Sequence, residues 1–144
     1  MKTLTIGSQE HDRLSIVVLD YERAPIGEAF DDNWLVARIE ISVGSFTGTF
    51  PLCLTPQDFE SFISPMEQLY KSLTGQAKFE TIEGQIEVSL TGDGRGGIEV
   101  AGHALDRAGI GNRLEFGFTI DQTYFPPMLR QLRDIVTEFP TRGA

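Results

Sequence analysis

The chain is poor in the residues that usually carry chemistry or span membranes. It has one cysteine, Cys53, and two histidines, His11 and His103, in 144 residues. A lone cysteine forms no internal disulfide, and two separated histidines with one cysteine make no ligand pair at zinc spacing. No apolar run approaches the roughly 20 residues of a membrane-spanning helix. The first residues lack the long apolar segment of a secretory signal. These absences predict a soluble protein of a reducing cytoplasm, without metal or other cofactor. Basic residues are also scarce: 12 Lys and Arg stand against 21 Asp and Glu, a formal net charge of −9. Such a balance repels nucleic-acid phosphates and anionic lipid, so neither is an expected partner.

What is present suits a packed domain. Hydrophobic residues make up 40% of the chain and include ten phenylalanines. A single domain over residues 1–144 buries roughly 68–70% of its unfolded surface, enough for a core without staples.

Alternation marks the strands. Leu35, Ala37, Ile39, Ile41 and Val43 fall on one face of a strand that begins near Trp34. Gly44-Ser45 turns the chain, and Phe46, Gly48, Phe50, Leu52 and Leu54 return along one face, completing a hairpin. Pro51 cannot donate to a ladder and predicts an edge or a bulge. Earlier strands are expected at Thr3–Ser8 and Leu14–Tyr21, and later ones at Ala77–Ile82, Gln85–Leu90, Ile98–Ala104 and Arg113–Ile120.

Two stretches have helical spacing instead. Thr55-Pro56 opens the first, with Phe59, Phe62, Ile63, Met66, Leu69, Tyr70 and Leu73 on one side; Pro65 predicts a kink and Gly75 the C-terminal cap. The second carries Phe125, Met128, Leu129, Leu132, Ile135, Val136 and Phe139. Pro126-Pro127 tolerates only a start between Thr123 and Phe125, with Asp121 accepting amides at the turn. The sequence therefore predicts an α+β fold in the order ββββα-ββββα: a curved antiparallel sheet of about eight strands with both helices on one face.

Candidate catalytic groups are thin. Gly92-x-Gly94-x-x-Gly97 spells a dinucleotide-binding pattern, but Ile98-Glu99-Val100-Ala101 continues as a strand where that site needs a helix. A hairpin turn is predicted there. Cys53 sits in an apolar strand, with no sequence signature joining it to a histidine.

Carboxylates are the abundant functional group. Residues 22–32 form a polar, turn-prone loop through Pro25 and Gly27, rich in Glu22, Glu28, Asp31 and Asp32. One expectation is a solvated acidic loop. The sharper one makes Glu28, Asp31 and Asp32 contact residues for a basic protein partner, where acidic groups speed encounter and set specificity.

Two short segments narrow the field. Asp32-Asn33-Trp34-Leu35 opens a strand, and Asp121-Gln122-Thr123-Tyr124-Phe125 opens the last helix, with a Gly-rich hairpin between them. This layout, over residues 12 to 140, resembles the WapI-type immunity proteins and related bacterial proteins of similar length. The resemblance implies a non-enzymatic cytoplasmic antidote that binds and blocks the nuclease domain of a contact-delivered toxin. It brings no catalytic or binding residue with it. Two alternatives come from the residues alone: a scaffolding module that pairs with itself as a homodimer through an exposed sheet edge, and an enzyme built on paired carboxylates.

Overall fold

In the computed structural model, which describes residues 1–143, the chain runs as four strands and a helix, twice. The first half holds β1 (Lys2–Gly7), β2 (Arg13–Tyr21), β3 (Leu35–Val43), β4 (Phe46–Leu54) and helix α1 (Pro56–Ser72). The second holds β5 (Thr74–Glu80), β6 (Ile86–Asp93), β7 (Gly97–Leu105), β8 (Arg113–Asp121) and helix α2 (Phe125–Glu138). The α+β order and antiparallel pairing are as the sequence predicts.

The eight strands do not form one layer. They make two four-stranded sheets, β1-β2-β3-β4 and β5-β6-β7-β8. Helix α1 intervenes between β4 and β5. Its 17 residues carry the chain about 25 Å along one axis before β5 begins, so those two strands are not neighbours.

Within the first sheet the predicted hairpin is in register, pairing Leu35 with Leu54, Ala37 with Leu52 and Ile39 with Phe50. All six side chains are buried. Two-residue hairpins need positive φ in the turn, and Gly44 supplies it at φ 59°. Phe46, at the tip of the hairpin, leaves the core and is 65% exposed. Pro51 lies on the edge strand β4, where its missing amide removes no ladder bond.

The helices join the halves. Helix α1 packs on β5, helix α2 on β1, and the two helices on each other. Phe59 and Phe62 of α1 flank Phe79 of β5 at ring-centre distances of 5.5 and 5.4 Å. Tyr70 of α1 stacks on Phe125 of α2 at 5.7 Å. Inner-face residues of both sheets and the apolar stripes of both helices form one buried cluster.

Helix α1 runs unbroken through Pro65, and it ends before Gly75. Leu73 takes the left-handed conformation that closes the helix, and Gly75 is already paired with Gly92 in the sheet. The left-handed cap thus falls on Leu73 and not on a glycine. The chain reverses within one residue, and the Leu73 carbonyl accepts the Gly94 amide at 2.8 Å.

That contact also explains the glycines at 92–97. A Cβ on Gly92 would overlap the Leu73 carbonyl. Gly94 and Gly96 have positive φ in the β6–β7 turn. The pattern is a hairpin, as its sequence context predicts. Asp121 also behaves as expected: its carboxylate accepts the Thr123 amide at 2.8 Å at the entry to α2.

Candidate partner-binding site

The loop between β2 and β3 is rich in acid, and one of its acids organises it. Asp32 is buried at 4% exposure, within a short 3-10 turn at Asp31–Asn33. Its carboxylate accepts the amides of Ile26 at 3.0 Å, Gly27 at 2.9 Å and Glu28 at 3.0 Å. The Arg23 guanidinium adds a contact at 3.4 Å. These backbone amides, chiefly that of Ile26, and then Arg23 hold the carboxyl below its ordinary pKa against the opposing effect of burial.

The three acids singled out from the sequence thus divide. Asp32 is spent inside its own loop. Glu28 and Asp31 face solvent. Glu28 pairs with Arg23 at 3.1 Å, with side chains 59% and 39% exposed. Solvent screens an open pair of this kind, which leaves Glu28 free to exchange partners.

The next residue ties the loop to the end of the chain. The Asn33 side chain accepts the Arg142 amide at 2.7 Å and donates to the Arg142 carbonyl at 3.0 Å. It also donates to the Ala29 carbonyl. The Arg142 guanidinium lies 3.3 Å from the centre of the Tyr21 ring and donates to the Arg23 carbonyl at 3.1 Å. Tyr21 in turn donates to the Pro140 carbonyl. Burial raises the Tyr21 phenol above its ordinary pKa despite the nearby Arg142, so that donor stays protonated at neutral pH.

Between loop, tail and the start of α1 lies a cleft of about 380 Å³. Ala29, Phe30, Pro56 and Ile82 give it apolar walls, and Asn33 and Arg142 line the polar side. Phe30 and Ile82 are 62% and 60% exposed. Phe30 is held edge-on against Trp34 at 5.7 Å. Acid from the second half reaches the same end: Glu22 and Glu83 both add to the burial that pushes the Cys53 thiol upward. A raised pKa keeps the half-buried Cys53 as the thiol, the less nucleophilic form.

Other candidate chemistry is dispersed. His103 stands on the outer face of the second sheet, opposite Glu87 and Glu115, while Cys53 is in the first. The carboxylates beside His103 already hold cations, Glu87 with Lys78 at 3.0 Å and Glu115 with Arg113 at 3.2 Å. His11 is exposed in the β1–β2 turn. Among the described residues no group of three or more His, Cys, Asp or Glu could hold a metal, and no helix is long and apolar enough to cross a membrane.

The sequence pointed to the loop but not to the cleft. Asn33 stands in the Asp-Asn-Trp-Leu segment, with nothing local to reveal its partner 109 residues away. Pro56 and Ile82 carried ordinary signals of a helix start and a strand end.

Two four-stranded sheets clasping a pair of helices, with an acidic loop and an apolar cleft at one end, define an acidic α+β protein with an accessible recessed surface. The chain belongs to the immunity protein WapI-like family, whose model matches residues 4–140. No curated relative matches it. Among solved structures it is similar to Trypanosoma bruciei MRP1/MRP2, at 11% identity and a TM-score of 0.49, covering 94% of this chain and 83% of that one. A likeness at that level carries nothing over to this chain.

Proposed function

We propose that this protein is a cytoplasmic, non-enzymatic antidote that binds the nuclease domain of a toxin directly and blocks it. Membership of an immunity-protein family over residues 4–140 is the observation that carries the proposal. The charge balance supports a basic target. A nuclease must hold phosphates and is commonly basic where it does so, and a chain of net charge −9 attracts such a surface. Glu28 and Asp31, exposed beside the cleft, are the contact residues proposed from the loop. Asp32 supports them by fixing its shape.

The test is protection. The neighbouring genes are read for a toxin domain; any found is expressed in a susceptible cell with and without this chain, and binding of the purified pair is measured across ionic strength. Growth rescue is expected, with association that weakens as salt rises, because exposed charges are screened beyond about 8 Å at physiological ionic strength. Unrescued growth together with no binding overturns the proposal. Binding indifferent to salt overturns its electrostatic part.

A further inference from the structure

We infer that the cleft beside the acidic loop receives one apolar side chain, of leucine, methionine or phenylalanine size, carried between lysines or arginines on the toxin domain. The inference rests on the antidote function proposed above and names the group that the site would recognise.

The walls set the first half of that chemistry. Phe30 and Ile82, which line the recess with Ala29 and Pro56, leave most of their surface to solvent. A volume of about 380 Å³ lies at the small end of the ~300–1,000 Å³ range of ligand pockets, and suits one side chain with its flanks. Interfaces draw most of their affinity from a few anchors seated in such pockets.

The charges set the second half. Glu28 and Asp31 are exposed and flank the cleft residues Ala29 and Phe30 in the chain, and Glu83, also exposed, follows the cleft residue Ile82. The local cations are already engaged. Arg23 is held by Glu28 and Asp32, and Arg142 lies over Tyr21 and donates to the Arg23 carbonyl. Even so, the carboxylates of Glu28, Asp31, Asp32 and Glu83 outnumber Arg23 and Arg142 four to two, which leaves the surroundings of the apolar cleft net negative. A second copy of this chain would bring the same sign of charge and is disfavoured as the occupant. The tail at Thr141 and Arg142 is already built into the wall through Asn33, so the recess is formed before anything enters it.

The experiment uses the full chain, labelled with ¹⁵N, and three peptide probes: acetyl-Lys-Phe-Lys-amide, acetyl-Lys-Ala-Lys-amide and acetyl-Glu-Phe-Glu-amide. The first should shift the amides of Phe30, Asn33, Ile82 and Arg142 saturably, about tenfold more tightly than either of the others. Phe30→Ser with Ile82→Ser should abolish that preference. Both side chains are exposed, so the rest of the spectrum should stay in place. Gln57→Trp, which fills the cleft from the first turn of α1, should do the same by a different route.

Equal affinity for all three peptides, shifts confined to another surface, or no saturable shift up to about 10 mM overturn the inference. If the toxin domain is bound and neutralised while the peptides fail, only the cleft assignment falls. If the toxin domain is not bound at all, the antidote function falls with it.

Discussion

Asn33 and Arg142 hold one another by two hydrogen bonds of opposite sense, 2.7 Å from the Arg142 amide and 3.0 Å to the Arg142 carbonyl. A side-chain amide here serves a main chain as an adjacent strand would, across 109 residues of sequence. The β2–β3 loop and the C-terminal tail are therefore one structural unit, and the cleft has two walls only while that unit is closed.

Replacing Asn33 should open it. Asn33→Ala removes both bonds together with the one to the Ala29 carbonyl, at a cost of about 0.5–1.5 kcal/mol for each. The expected readout is faster amide exchange at Arg142, with the sheet amides unchanged. Asn33→Asp keeps the acceptor and loses the donor, so it should protect the Arg142 amide in part. Full protection in the alanine variant would show that Tyr21 and the Arg142 guanidinium hold the tail without Asn33.

Acid should open the same loop by another route. The Asp32 carboxyl sits below its ordinary pKa in the fold, so its contribution is present above the unfolded value near 3.9 and is lost as pH falls through the folded value. The loop should loosen below about pH 4, reported by Trp34, which packs on Phe30. Asp32→Asn keeps the shape but weakens the acceptor. It should leave the loop loose at neutral pH and remove its acid transition. A Trp34 signal with the same acid transition in both proteins would assign it to another carboxylate.

How far the sequence reveals this architecture depends on the range of each interaction. Alternation in Leu35–Val43 and helical spacing in Phe125–Phe139 record which side of an element is dry, and the structure buries those sides. Asp121 was legible because its partner, Thr123, lies two residues away. The split into two sheets was not, since strand neighbours across α1 depend on where that helix packs. The function of Asp32 was hidden for a related reason. An acid in a polar loop looks the same in sequence whether it faces solvent or gathers three amides of its own loop. The cleft depends on Asn33, Ile82 and Arg142 meeting, and each is unremarkable in its own neighbourhood.

Glycine at 92 should prove to be a steric requirement and glycine at 117 should not. A Cβ on Gly92 would overlap the Leu73 backbone at the end of α1, whereas one on Gly117 would meet only the Val100 carbonyl at 3.5 Å, an ordinary contact. Gly92→Ala should cost about 1–3 kcal/mol, the usual range for forcing atoms into a filled site. Gly117→Ala, on the solvent side of β8, should stay within about 0.5 kcal/mol. Thermal melts of the two proteins decide the matter. Equal loss in both would mean that the strands, and not the turn after α1, demand glycine.

One of the two edges of the first sheet, β1, lies against helix α2, and a side chain of that helix takes one of its open amides. Strand β1 pairs only with β2, leaving a row of amides and carbonyls on its other side open to another chain. The Thr5 amide on that side donates to the Gln131 side-chain oxygen of α2 at 2.9 Å. Gln131→Ala should speed exchange of the Thr5 amide and cost about 1 kcal/mol. Gln131→Glu keeps an oxygen at the same reach and should retain the protection. Sizing across concentrations adds a second readout: the alanine variant should associate more readily than the glutamate variant, because an unsatisfied edge amide seeks a strand partner and an added carboxylate repels one. Slow exchange of Thr5 in both variants would show that packing of α2 on β1, independent of this hydrogen bond, is what shields the edge.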